Sequence, residues 1–150
     1  MKLSRYYTAL IFASLLYFLN QSRAADVSDL TYKVSGGKIT ITSCDKATSG
    51  KLVIPDTIEG KPVTRIGDFA FVNCTSLTSI TIPDGVTSIG HAAFAACESM
   101  NAVTFLGDAP KVKNDDTFKY SSSIIYRKPE AKGWGDTFAG RPVKLISEKP

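Results

Sequence analysis

Apolar positions in this chain follow two periods. Over short stretches they alternate with polar ones; over long range the whole pattern returns after 23 residues. Val63-Thr-Arg-Ile-Gly-Asp-Phe-Ala-Phe-Val-Asn-Cys-Thr-Ser-Leu-Thr-Ser-Ile-Thr-Ile82 is followed by Val86-Thr-Ser-Ile-Gly-His-Ala-Ala-Phe-Ala-Ala-Cys-Glu-Ser-Met-Asn-Ala-Val-Thr-Phe105. Nine of the 20 paired positions are identical, and Leu77/Met100, Ile80/Val103 and Ile82/Phe105 exchange one apolar residue for another. A fixed period of this length marks a stack of similar coils, each burying its apolar face against its neighbours.

Each repeat parses the same way. Ile80 and Ile82 point inward while Ser79 and Thr81 point outward, the alternation of a half-buried strand. Pro83 ends that strand by withholding an N–H, and Asp84-Gly85 makes a turn. Val86 and Ile89 re-enter the core, and Gly90 permits a close or left-handed bend. Asp68 is placed to cap a single helical turn through Phe71; His91, its counterpart, is a poorer cap. Phe71 and Phe94 fill the coil centre, and Cys74 and Cys97 close it.

The flanks carry weaker versions of the pattern. Tyr32, Val34, Ile39 and Ile41 alternate about Ser35-Gly36-Gly37 as a β-hairpin, which would cap the first coil. Thr42 to Gly50 reads as a loop. Leu52-Val-Ile-Pro-Asp56 matches Ile80-Thr-Ile-Pro-Asp84 and predicts an earlier, irregular strand. Beyond Phe105, Val112 and Phe118 suggest a degenerate coil with one extra residue. Ile124-Ile-Tyr126 and Pro142-Val-Lys-Leu-Ile146 read as strands, with Thr137-Phe-Ala a short turn between them. The expected divisions are 1–24 a leader, 25–62 an N-terminal cap and irregular strand, 63–108 two repeats, and 109–150 a degenerate repeat and C-terminal cap.

Ile66-Gly67, Ala70-Phe71, Cys74, Ser76-Leu77, Ile80 and Ile82-Pro83, with their counterparts from Ile89 to Phe105, resemble the BspA-type leucine-rich repeats of bacterial surface and secreted proteins. The likeness runs over roughly Leu52 to Phe105. It implies a mainly β, α+β fold: a short leucine-rich-repeat solenoid of about 23-residue coils. It also implies a non-catalytic module for protein–protein or cell-surface recognition and adhesion, with no catalytic residues to carry over and no cofactor.

Composition changes this picture in one respect. The chain has 150 residues, 43% hydrophobic and 21% charged, as a globular domain should. Its net charge of +4 includes Lys2, Arg5 and Arg23, with no acid in residues 1–24; removing them leaves 15 basic against 14 acidic residues. A near-neutral remainder gives no footing for nucleic-acid binding. Lys2 and Arg5, the apolar run Tyr6 to Leu19, and Ser22-Arg23-Ala24 have the layout of a secretory signal peptide. The run is short of the roughly 17–25 residues of a spanning helix. The expected mature chain starts near Ala25, is secreted, periplasmic or cell-surface, and has no integral membrane segment.

Candidate chemistry is sparse. Asp115-Asp116 and His91 lack fixed partners for acid–base work, and Ser121-Ser-Ser123 is a link. Cys44, Cys74 and Cys97 read as a ladder of buried thiols, with a bridge between two of them as the alternative; a metal site would need more ligands nearby. Asn73-Cys-Thr75 is a glycosylation sequon, unless Asn73 turns inward. The outward strand residues Lys51 and Val53, then Thr78, Ser79 and Thr81, then Asn101, Ala102 and Thr104, should lie in rows on one polar sheet face. Of these Thr78, Ser79, Thr81, Asn101 and Thr104 are the candidate binding residues for an unidentified protein or surface glycan. Trp134, between Gly133 and Gly135, either packs over the last coil or stacks on a sugar. The second choice makes a carbohydrate-binding module the alternative function. End-to-end self-association is a further expectation for a stack with few coils.

Overall fold

Residues one period apart pair through their backbones. The computed structural model describes residues 25–150; the signal peptide read over residues 1–24 lies outside them. Among the described residues twelve strands are formed: β1 (Leu30–Ser35), β2 (Lys38–Cys44), β3 (Gly50–Val53), β4 (Thr57–Ile58), β5 (Lys61–Ile66), β6 (Leu77–Ile82), β7 (Ser88–Ile89), β8 (Ala102–Phe105), β9 (Lys111–Val112), β10 (Ile124–Arg127), β11 (Thr137–Phe138) and β12 (Arg141–Leu145). Helix is limited to short 3-10 turns among the described residues, so the fold is mainly β, as expected.

The chain winds between two sheets. Sheet one has the order β1-β2-β5-β7-β9, with β4 beside β5; sheet two has the order β11-β12-β10-β8-β6-β3. Strands of successive coils are parallel and in register: Ile66 pairs with Ile89 and Ile89 with Val112, Ile80 with Val103, and Val103 with Ile125. The inward residues Ile80, Ile82, Val103 and Ile125 are all buried.

The third side of each coil is a turn, and here one expectation fails. Residues 69–73 do not form a helical turn, because Phe69 and Asn73 have left-handed backbones (φ 58 and 59). Ala92 and Ala96 repeat that geometry at φ 48 and 55. The turn amides therefore point along the solenoid axis and bond to the next coil: Phe69 to His91, Phe71 to Ala93, Asn73 to Ala95, then Phe94 to Thr117 and Ala96 to Lys119. Asp68 caps the next coil instead of its own. Its carboxylate accepts the His91 backbone N–H at 2.8 Å. Gly90 serves a close approach, not a left-handed bend: a Cβ there would come within 2.6 Å of the Gly67 carbonyl carbon.

Within the coils the rings of Phe71 and Phe94 stack at 5.1 Å and 12°, and those of Phe94 and Phe118 at 5.3 Å and 6°. These separations follow from the ~4.8 Å strand spacing that carries the coils. Phe118, at the end of the 3-10 turn Asp115–Phe118, continues the stack 24 residues beyond Phe94.

The ends differ from the sequence reading in detail. Strand β2 runs on through Cys44 rather than giving way to loop at Thr42. Thr137-Phe138 is a strand, not a turn, and pairs antiparallel with β12. Asp136-Thr-Phe-Ala-Gly-Arg-Pro-Val143 repeats the pattern of Asp56-Thr-Ile-Glu-Gly-Lys-Pro-Val63. Both make the same hairpin, closed by the N–H of Val63 on Asp56 O and of Val143 on Asp136 O, each at 2.9 Å. Positive φ at Glu59-Gly60 and Ala139-Gly140 suits the tight turn of a two-residue hairpin.

Phe94 stacks on two rings while Phe71 has a ring on one side only. Phe94→Ala should cost about 3–5 kcal/mol, and more than Phe71→Ala. That is a large part of the ~5–15 kcal/mol of a domain. Urea unfolding that shifts the midpoint equally in both variants, or hardly at all, would contradict the stack.

Candidate functional site

Sheet two presents an outer face built from side chains that the core does not use. Register sets the rows: Val53, Thr81, Thr104, Tyr126 and Lys144 in one; Lys51, Ser79, Ala102 and Ile124 in the other. Lys51, Val53 and Asn101 are exposed, while Ser79 and Thr81 are half-buried. Val53 stands out as an apolar side chain 62% exposed. Thr78 is partly committed, its hydroxyl donating to Gly50 O at 2.9 Å.

Two of the expected outward residues are covered. Thr104 is 5% and Ala102 6% exposed. The segment after β12 turns back across the face through a 3-10 turn, Ile146–Glu148. There Lys149 donates from Nζ to Thr104 Oγ1 at 3.0 Å and lies 5.6 Å from the centre of the Tyr126 ring, within cation–π range. Thr104 is thus part of an internal contact and leaves the open face. Ile124 and Lys149 join the site in its place, while Tyr126 is buried beneath Lys149. Ile124 and Tyr126 were recognisable as a strand, but their pairing with β8 comes at 22 residues, off the repeat. Lys149 lies 45 residues from Thr104, and no local pattern announces that contact.

Trp134 is not on this face. Its ring packs on Phe105 at 5.0 Å and Phe138 at 4.9 Å, and its Nε1–H donates to Gly107 O at 3.3 Å. It is a half-buried part of the C-terminal cap, held by these two rings and the hydrogen bond. The structure therefore places Trp134 in the packing over the last coil, with part of its surface still exposed. Asn73 is exposed rather than turned inward.

The titratable groups elsewhere have structural partners. The His91 ring sits edge-on to Phe69 at 5.1 Å, and its Nδ1 is 2.8 Å from the Asn114 amide nitrogen. The His91 amide, with help from Lys113 at 3.7 Å, holds the Asp68 carboxyl below its usual range. Asp116 pairs with Lys119 at 3.7 Å. Cys44, Cys74 and Cys97 are all buried and unbridged. The neighbouring Cys44 and Cys74 thiols interact so that the first is raised and the second lowered, while the Cys44 thiol donates to Thr48 Oγ1 at 3.4 Å. The Lys46 ammonium, 3.9 Å from Cys74 Sγ, lowers Cys74 further. Burial pushes Cys97 up to about 11, and its thiol donates to Phe71 O at 3.0 Å. Among the described residues no three His, Cys, Asp or Glu side chains cluster to hold a metal, and no helix is long and apolar enough to cross a membrane.

Stacked coils of about 23 residues, with one parallel strand per coil in each sheet and a hydrogen-bonded turn on the third side, define a leucine-rich repeat protein. The description "BspA type Leucine rich repeat region (6 copies)" matches residues 42–129. The chain belongs to that family, and the match extends beyond the two clear repeats at both ends. Among solved structures it is similar to a leucine-rich repeat protein of Bacteroides capillosus, with TM-score 0.53 and 24% identity over 81% of this chain and 96% of that one. It also matches a leucine rich cell surface protein of Faecalibacterium prausnitzii, with TM-score 0.46 and 26% identity over 85% of this chain and 31% of that one. A third match is the leucine-rich repeat protein of T. pallidum, with TM-score 0.45 and 18% identity over 69% and 71%. No curated protein matches the chain.

Thiol reactivity needs access as well as thiolate character. Although Cys74 is electrostatically favoured as a thiolate, all three thiols should resist an aromatic disulfide reagent in the native protein and react on unfolding. A native thiol that reacts at the rate of a free one would contradict the buried ladder.

Proposed function

We propose that the protein is an exported, non-catalytic recognition module that binds a protein partner on the outer face of sheet two. The observation that carries this is the row structure of that face. Lys51, Val53, Ser79, Thr81 and Asn101 are brought side by side from three coils, and Val53 is left largely exposed. Solenoids bind through such extended surfaces. Membership of the repeat family supports a binding role, and the leader read over residues 1–24 supports export. Trp134 is engaged in the cap by Phe105 and Phe138, which favours a protein partner over the glycan alternative.

Four strand-to-strand steps and about five residues along each strand give a face of roughly 20 Å by 17 Å. That is well under the ~800 Å² per partner of a standard interface. Binding by one copy is therefore weak, and display in several copies strengthens it. Capture from the native environment tests the reading. Wild-type protein should retain a partner, and Ser79→Lys with Thr81→Lys should lose it while the melting temperature stays nearly unchanged. Equal capture by the double variant would remove the face from the function. Export is checked by N-terminal sequencing: the protein outside the cell should begin at or near Ala25, and a chain still starting at Met1 would contradict the leader.

A further inference from the structure

The outer face of sheet two carries a charge bias that the near-neutral composition hides. None of the residues of β3, β6, β8, β10 and β12 is an aspartate or glutamate. A groove of about 380 Å³ crosses these strands, lined by Lys51, Ser79, Ala102, Ile124, Tyr126 and Lys149 among others, with no aspartate or glutamate side chain in its wall. Its floor follows the row Lys51, Ser79, Ala102, Ile124, so it runs perpendicular to the strands. Lys51 stands at one end. The segment after β12 forms a wall at the other, where Lys149 is held between Thr104 and the Tyr126 ring. An ammonium has three donors, so the bond to Thr104 leaves Lys149 able to meet an anion.

The spacing of the two cations restricts what fits. Lys149 Nζ sits over Thr104 on β8, two strand-to-strand steps (~10 Å) from β3 and two residues (~7 Å) further along the strands, so it lies roughly 12 Å diagonally from the root of Lys51. An extended chain rises ~3.3 Å per residue and returns to the same face every second residue, so residues i and i+4 project to one side about 13 Å apart. We propose that the groove takes an extended acidic segment of a protein partner, with two carboxylates four residues apart, one toward Lys51 and one toward Lys149. Ser79 and Asn101 bring hydroxyl and amide groups along the path between them. The proposal rests on the recognition role of this face and names the chemistry of the partner. A peptide is favoured over an acidic glycan because the groove has no open aromatic ring. Tyr126 is 4% exposed and lies beneath Lys149.

The test is an NMR titration of the ¹⁵N-labelled protein at low salt with acetylated, amidated Glu-Ser-Thr-Ser-Glu. Its isomer Ser-Glu-Glu-Thr-Ser and a diuronic acid disaccharide serve as the comparison arms. The first peptide should shift the amides of Lys51, Ser79, Ala102 and Tyr126 saturably and bind tighter than the other two ligands. Lys51→Ala and Lys149→Gln should each weaken it about two- to fivefold, as for surface ion pairs, and Lys119→Ala, on the turn ladder, should not. Salt should weaken it as well. Both lysines are exposed, and unchanged melting temperatures would verify that the variants fold. Absence of saturable shifts at these amides, equal binding of the two isomers, or equal or tighter binding of the disaccharide would overturn the proposal. If the peptide fails while partner capture still depends on Ser79 and Thr81, the acidic-segment proposal falls and the recognition role stands.

Discussion

Parallel pairing in register between coils is the constraint on which the rest of this structure depends. Once Ile66 lies beside Ile89 and Ile80 beside Val103, every group in a coil meets the corresponding group of the next. A buried ring must stack on another ring, as Phe71, Phe94 and Phe118 do. A buried turn amide must find a carbonyl one coil away, because an unpaired buried donor costs about as much as a lost hydrogen bond. The left-handed residues at Phe69, Asn73, Ala92 and Ala96 direct the amides to those carbonyls. Their unfavourable backbone geometry is offset by bonds that no helical turn could make to a neighbouring coil. The same constraint places outward side chains in rows, so the face proposed for recognition is a by-product of the core's register.

How much of this was legible in the sequence depended on whether position alone decided it. The inward residues of β6 and β8 were readable because burial of one face forces alternation. The phenylalanine stack was readable because like residues recur at the stacking period. The turn was misread: Asp68 looks like an N-cap to its own chain, and only stacking shows that its acceptor belongs to His91. The hairpin signal Asp-Thr-x-x-Gly-x-Pro-Val was present at two places in the sequence, at residues 56–63 and 136–143. Its period is not that of the coils, so the repeat alone does not single it out. The covering of Thr104 by Lys149 depends on tertiary contact between the last strand's continuation and a strand two coils earlier, for which no local pattern exists. The glycine flanks of Trp134 fit either a packed or an open ring, and its contacts with Phe105 and Phe138 are long-range in packing and carry no local signal.

The distribution of chemistry over the molecule separates structure from recognition. The strongest electrostatic perturbations lie in the cysteine ladder, where access is absent, and at Asp68, where a backbone amide accounts for the shift. Both serve the packing of the coils and the bonds between them. The outer face of sheet two is the reverse case, with exposed or half-exposed side chains of modest individual energy whose value lies in their arrangement. A module of this kind gains affinity from repetition and from complementary partner geometry rather than from one deep pocket.

Native-state hydrogen exchange at the turn amides of Phe71, Phe94 and Ala96 tests the central claim most directly. Each of these amides is bonded into the next coil. If stacking in register is what holds the fold, they should exchange only by the same cooperative opening that releases the amides of β6 and β8. Turn amides that exchange at near-unprotected rates while the two sheets stay protected would show that the coils are held by the strands alone, and would contradict the account.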